Sequence, residues 1–233
     1  MGEEKDILKS TFADTDSYDR RLKRFVPYNE EMLNSVLRCI YASRNQLRVL
    51  ELGCGTGNLS KKLLEINSDC WLTAIDLQEE MVMTCSKNLG RYSRQTEVIC
   101  ADMIGFQSVG NFDFVISNLA LHYPDTDQKK VSVCRNAFMS LKPGGIFSFS
   151  IMIRDEPRES ADYIFSKWER DVLCNGVSQE EFDEWQRTCH KSDYPIPASL
   201  WMKWLKEIGF LYSRLTWQKT IFGTICARKP GVN

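Results

Sequence analysis

Histidine is scarce in this chain: only His122 and His190 occur among 233 residues. The nine cysteines form no C-x-x-C pair and no Cys/His cluster at zinc spacing, so neither a zinc module nor a disulfide framework is encoded, and no metal site is expected. Scattered thiols read as reduced. With a charged start (Gly2-Glu3-Glu4-Lys5-Asp6) in place of a secretory signal, the expected location is cytoplasmic. No apolar run approaches the ~20 residues that span a bilayer, so no membrane partner is expected. Net charge is also lacking: thirty Lys and Arg against thirty-one Asp and Glu leave −1. That balance argues against a nucleic-acid partner. Internal repeats and low-complexity tracts are absent. What remains is a length suited to a single α/β domain with an insertion.

The stretch Val49-Leu50-Glu51-Leu52-Gly53-Cys54-Gly55-Thr56-Gly57-Asn58 carries the strongest signal. An apolar strand meets an acidic residue, then three glycines at every second position, then a helix over 59–66. Glycine lets the backbone turn sharply and approach a ligand closely. A helix N-terminus suits polar groups. Further strands are expected at 71–76, 97–100, 112–118 and 146–153, alternating with helices at 79–89 and 128–141. That rhythm predicts a doubly wound, mostly parallel α/β sheet of Rossmann-like type. Lys142-Pro143-Gly144-Gly145 reads as a helix stop. A helical cap is expected over 1–46. Two charge-rich helices at 161–173 and 178–190, parted by Asn175-Gly176, read as a lid insertion spanning 154–194. A helix at 199–208 and an antiparallel pair at 211–217 and 221–227 close a seven-stranded sheet.

The dinucleotide fingerprint G-x-G-x-x-G is not met, because Asn58 stands where its third glycine would fall. Asp76 ends the second strand nineteen residues after Gly57, where a carboxylate can accept from both ribose hydroxyls.

ELGCGTG, the Asp closing the second strand, the Ala101-Asp102 pair after the third, SNLALHY after the fourth and LKPGG before the fifth together resemble the class I S-adenosylmethionine-dependent methyltransferases. The resemblance covers about 46–153, and the C-terminal hairpin extends it. It implies S-adenosylmethionine as cofactor. It places Glu51, Gly53, Gly55 and Gly57 near the methionine portion, Asp76 and Leu77 at the ribose, Asp102 and Met103 beside the adenine, and Asn118 toward the sulfonium. The segment 18–28 is similar to the cap helix of small-molecule members, where Tyr18, Tyr28 and Arg24 would hold the methionine carboxylate. The whole arrangement is similar to the carboxy-S-adenosylmethionine synthase and wobble-uridine group. No motif clearly supplies that group's carboxylate-binding arginine, so plain methyl transfer to a small-molecule acceptor is expected. A tRNA-modifying enzyme, a carboxymethyl-donor enzyme and a non-catalytic partner protein are the alternatives; oligomeric state is left open.

His122, on the loop after the fourth strand, is the candidate base, because an imidazole can take a proton near neutrality. His190 reads as a helix-end residue. Trp168 and Trp185 are read as an aromatic substrate wall, and Trp201 and Trp204 as core anchors. Tyr163 and Lys167 match Y-x-x-x-K with Ser150 thirteen residues earlier, a chance likeness to a dehydrogenase site.

Overall fold

A computed structural model describes residues 15–40, 46–154, 157–189 and 193–231. The cap contains α1 (Thr15–Phe25) and α2 (Asn29–Leu37). Then follow β1 (Arg48–Leu52), α3 (Asn58–Ile66), β2 (Trp71–Asp76), α4 (Glu79–Asn88), β3 (Thr96–Cys100), β4 (Phe112–Asn118), α5 (Asp127–Ser140) and β5 (Leu141–Met152). The insertion is α6 (Arg158–Cys174) and α7 (Gln179–Cys189), and the chain continues through α8 (Ala198–Ile208), β6 (Leu211–Lys219) and β7 (Phe222–Arg228). His190 lies outside the described residues.

The sheet runs β3-β2-β1-β4-β5-β7-β6. Strands β1 to β5 are parallel, and β7 pairs antiparallel with both β5 and β6. Its parallel strands are apolar because both faces are covered. Along β1, Val49 faces the cluster under α2 and α3, while Leu50 and Leu52 face the one under α5 and α8. In β5 the alternation is chemical. Phe147 and Phe149 pack toward Trp201. The intervening serines bring α2 close: Ser148 Oγ donates to Val36 O at 2.8 Å, and Ser35 shares a 2.5 Å hydrogen bond with Thr224 on β7.

Strand β5 starts five residues before the expected Ile146. Leu141 pairs with Phe112 and Ile146 with Phe114, so Lys142-Pro143-Gly144-Gly145 forms a bulge within the strand. Gly144 at φ +79° makes the excursion possible.

A third apolar cluster fastens the insertion. Trp168 is fully buried among Phe25, Phe182 and Phe222, and its Nε1 donates to Phe25 O at 2.9 Å. It is therefore a core anchor and not a substrate wall. Trp201 and Trp204 are buried in the core, as expected.

Candidate active site

Neighbouring β1 and β4 lead to opposite halves of the sheet, and their carboxyl ends diverge. A cavity of about 330 Å³ opens there. Its wall includes Glu51, Gly53, Gly55, Asp76, Leu77, Asp102, Met103, Asn118 and Tyr18, nine of the residues singled out from sequence.

The glycine loop has a distinct reason at each position. A Cβ on Gly53 would lie 2.3 Å from that of Ala120, so this glycine lets the β1 and β4 loops touch. Gly55 has φ +52°, and a Cβ there would meet nothing within 4 Å. The loop thus leaves a cradle that a side chain would fill. Gly57 does not line the cavity. It precedes α3 at φ +89°, and a Cβ would lie 2.9 Å from Cys85 Sγ, so its role is packing against α4.

The carboxylates differ in setting. Asp76 Oδ2 accepts Gly55 N–H at 2.8 Å and Oδ1 accepts Gln78 N–H at 3.0 Å. Each oxygen keeps further acceptor capacity toward the cavity. Burial raises its pKa, and the backbone N–H bonds oppose that rise. Glu51 is almost fully buried and accepts a hydrogen bond from Ser60. Burial first, and the Asp76 charge after the opposing Ser60 bond, push its pKa up to about 8. Asp102 is exposed and accepts Ile104 N–H at 2.8 Å through Oδ1. Asn118 Oδ1 accepts from Ser150 Oγ at 2.6 Å, and Leu119 beside it holds φ +51°. Such a backbone in a bulky residue is strained, and strain of this kind gathers at ligand sites.

Helix α1 covers the loop through Asp19, whose Oδ1 accepts from Thr56 Oγ1 at 2.7 Å and Asn58 Nδ2 at 2.9 Å. This docking places Tyr18 in the wall. Burial, and then the Asp76 charge, raise the Tyr18 pKa, so the phenol stays protonated.

Three sequence candidates fall elsewhere. Arg24 does not reach the cavity: NH1 and NH2 each hold Glu181 on α7 at 2.9 Å, and NH2 also donates to Gly176 O. Tyr28 is buried, donates to Asp171 on α6 and lies under Lys219 Nζ. Both therefore tie the cap to the insertion. His122 is also displaced. It is 3% exposed, does not line the cavity, and its pKa falls to about 3 through burial and the nearby Lys130 charge. Its Nε2 is 3.7 Å from Asp193 Oδ1, too long for a hydrogen bond. A neutral imidazole this weakly basic is not a base poised near neutrality. Tyr163 is 63% exposed on α6, whereas Ser150 is fully buried and its hydroxyl is held by Asn118, so the two do not share an environment as a dehydrogenase pair would.

Sequence reasoning did not find Leu22, Thr56, Tyr123 or Tyr194, which also line the cavity. Thr56 lay in plain view inside the loop. Tyr194 reaches the site only because the chain returns from the insertion, and no local pattern announces it.

Residues 49–145 match a family model described as a methyltransferase domain. The matched segment runs from β1 into β5 and is similar to the class I S-adenosylmethionine-dependent methyltransferases. Among curated proteins it is similar to the carboxy-S-adenosyl-L-methionine synthase of Shewanella halifaxensis, 24% identical over 221 residues, covering 91% of this chain and 88% of that one. The protein of the same name from Shewanella sp. strain ANA-3 is 27% identical over 218 residues, covering 89% and 87%. Among solved structures, the N-methyltransferase NodS from Bradyrhizobium japonicum bound to S-adenosyl-L-homocysteine superposes with TM-score 0.62 at 19% identity, covering 88% of each chain. The [4+2]-cyclase SpnF superposes with TM-score 0.64 at 15% identity, covering 87% of this chain and 82% of that one. A cyclase on this fold shows that the architecture alone does not fix a reaction. The comparisons indicate S-adenosylmethionine as cofactor, and the space over Gly55 is open to a ligand.

Proposed function

We propose that this protein moves a methyl group from S-adenosylmethionine to a small-molecule acceptor. The observation that carries the reading is the cavity at the β1/β4 divergence, walled by the glycine loop, Asp76 and Asp102 and covered by Tyr18 and Tyr194. Asp76 would accept from the ribose hydroxyls through the capacity its two backbone bonds leave. The second oxygen of Asp102 would take the adenine amine, beside Met103. Glu51 would face the cationic amino end, and Asn118, fixed by Ser150, would stand at the sulfonium. The bound sulfonium supplies an already activated methyl group. The chain's own contribution is alignment and exclusion of water, by α1 on one side and the returning segment at Tyr194 on the other. His122, buried and neutral, has no part in proton removal in this reading.

The insertion acts as a lid, and the near-zero charge favours a metabolite over a nucleic acid in the cytoplasm. Among the described residues, no helix is long and apolar enough to cross a membrane. Calorimetry tests the site. Asp76→Ala loses hydrogen bonds to a charged acceptor worth about 1.5–3 kcal/mol, so S-adenosylmethionine affinity falls about 10- to 150-fold. Unchanged affinity refutes the assignment.

A second reading has its own support. The curated relatives matched over most of both chains are named carboxy-S-adenosyl-L-methionine synthases. Mass spectrometry of the nucleoside carried through purification separates the two, since a carboxylated sulfonium differs in mass from the parent.

A further inference from the structure

Away from the cavity, the end of α2 lies close on β7. Ser35 shares a 2.5 Å hydrogen bond with Thr224, and Ser148 on β5 donates to Val36 O at 2.8 Å. Short hydroxyl side chains span the gap between helix and sheet here. That contact sets the register of a second pair. Cys226 stands two residues beyond Thr224 on β7, so both side chains point to the face that α2 covers. Cys39 stands four residues beyond Ser35, one helical turn on, and the helical course continues through Arg38 at φ −54° and ψ −36°. Cys39 and Cys226 therefore meet, thiol against thiol. Cys39 Sγ also donates to Val36 O at 3.6 Å.

The setting of the pair is specific. Ser148 on β5 and Arg214 on β6 pair directly with Cys226 from either side, so the three side chains form a row on one face of the sheet. Both cysteines are half-buried, within reach of a small oxidant. Cys54 and Cys85 also bring their thiols together, but both are buried. The hydrogen bond from Cys39, and the Arg214 charge after the opposing effect of burial, lower the Cys226 pKa. The same thiol contact, and then burial, raise that of Cys39, which keeps its proton. A sulfur that ionises beside a cation, with a second thiol against it, has the surroundings of a redox-sensing cysteine and its resolving partner.

We infer that Cys226 and Cys39 form a redox-active dithiol, which a hydroperoxide oxidises to a disulfide tying the cap to the sheet. The Cys226 thiolate attacks the near oxygen of the peroxide. The O–O bond breaks with its electrons going to the far oxygen, which takes up the proton that Cys226 released. Cys226 is left as a sulfenic acid. The Cys39 sulfur then attacks the Cys226 sulfur, the S–O bond breaks, and the departing hydroxide takes the Cys39 proton. With hydrogen peroxide, two thiols are oxidised and the peroxide is reduced to two waters. A disulfide needs Cβ atoms about 3.5–4.5 Å apart. The Ser35–Thr224 contact one turn earlier shows that side chains of this length already touch across the same interface.

The inference is independent of methyl transfer, and so is its test. The reduced protein is treated with hydrogen peroxide, quenched by alkylation and digested without reductant for peptide mass mapping. Expected is one dominant cross-linked pair, Cys39 with Cys226, lacking two hydrogens and separated again by dithiothreitol. The bridged protein melts roughly 4–16 °C higher, because the bridge closes a long loop of chain. Cys39→Ser stops at a sulfenic acid on Cys226, which dimedone captures, whereas Cys226→Ser leaves Cys39 unlabelled at the same dose. Arg214→Gln slows bridging about two- to fivefold. If Cys39 and Cys226 stay alkylated while Cys100 and Cys174 are oxidised, or if Cys54 and Cys85 bridge first, the inference is overturned. The mapping uses the wild type, so this outcome decides even where a serine variant does not fold. Dimedone on Cys39 in Cys226→Ser as readily as on Cys226 in Cys39→Ser overturns Cys226 as the attacking thiol. A bridge that lowers the melting temperature overturns the placement of the two cysteines at bridging distance.

Discussion

Replacing Glu51 by Gln should stabilise the ligand-free protein, and more so as pH rises. The Glu51 carboxyl is buried between Ser60 and the cavity, and its pKa stands at about 8 against an ordinary value of 4.5. A group with a raised folded pKa costs nothing while it is protonated in both states, below about 4.5. As pH rises from there through about 8, the unfolded chain ionises first and native stability falls. One pKa unit is about 1.4 kcal/mol, so the penalty is under about 1 kcal/mol at pH 5 and about 3 kcal/mol at pH 7. Gln carries no such penalty. For a chain of this size the difference amounts to roughly 6–12 °C in melting temperature at pH 7. Thermal melts of both proteins at pH 5, 7 and 8 read it directly. The pH dependence of the gap is the test, because any fixed effect of the amide is the same at each pH. A gap that does not widen from pH 5 to pH 8 refutes the reasoning. A cationic ligand in the cavity favours the ionised carboxylate, so S-adenosylmethionine binding near pH 7 should also release protons. That release appears as a buffer-dependent calorimetric enthalpy in the wild type, which Glu51→Gln abolishes.

Trp168→Ala should cost about 3–5 kcal/mol in urea unfolding, because it empties the fully buried centre of the third cluster, whereas Arg24→Ala should leave the midpoint almost unchanged, since its ion pair with Glu181 is exposed. A cost under about 1 kcal/mol for Trp168→Ala removes that residue as the anchor. The His122 ring protons should show no titration by NMR between pH 5 and 8, because burial holds the imidazole neutral until about pH 3, and acid should destabilise the fold from about pH 6.5 downward; an inflection near 6.5 contradicts this. Among the described cysteines, alkylation at pH 7.5 followed by peptide mass mapping should find Cys100 and Cys174 modified first, because they are exposed, and Cys54 last, because its hydrogen bond with the Cys85 thiol, and then burial, hold its own thiol protonated; early labelling of Cys54 refutes that environment.

The parts of the fold legible in sequence are those whose cause is local. Strands β2 and β4 were read to the residue, because each is a short apolar run ended by an acidic residue or an asparagine. The cavity residues on the loops after β1, β2, β3 and β4 followed, since parallel strand register brings those loops to one edge whatever the side chains do. The start of β5 was hidden, because Pro143-Gly144-Gly145 ends a helix and bulges a strand with the same residues. Only pairing with Phe112 decides which.

Arg24, Tyr28 and His122 show where that legibility ends. Each was read by what its chemistry offers: a cation or hydroxyl beside an anionic ligand, and an imidazole beside a transferring proton. The chemistry was read correctly, but the partner was not local. Arg24 spends its charge on Glu181, 157 residues away in sequence, and Tyr28 its hydroxyl on Asp171, 143 residues away. His122 loses its basicity to burial and the Lys130 charge, beside the returning chain whose Tyr194 N–H takes its backbone carbonyl. For Arg24 and Tyr28 the displacement is caused by the insertion. The glycine-loop side of the cavity is therefore written in loops that any sheet of this order must assemble. The rest of the wall depends on contacts between the cap, the insertion and the 193–196 segment, where Tyr194 N–H meets His122 O and Arg154 N–H meets Ile196 O, and partners so distant in sequence leave no local pattern to read.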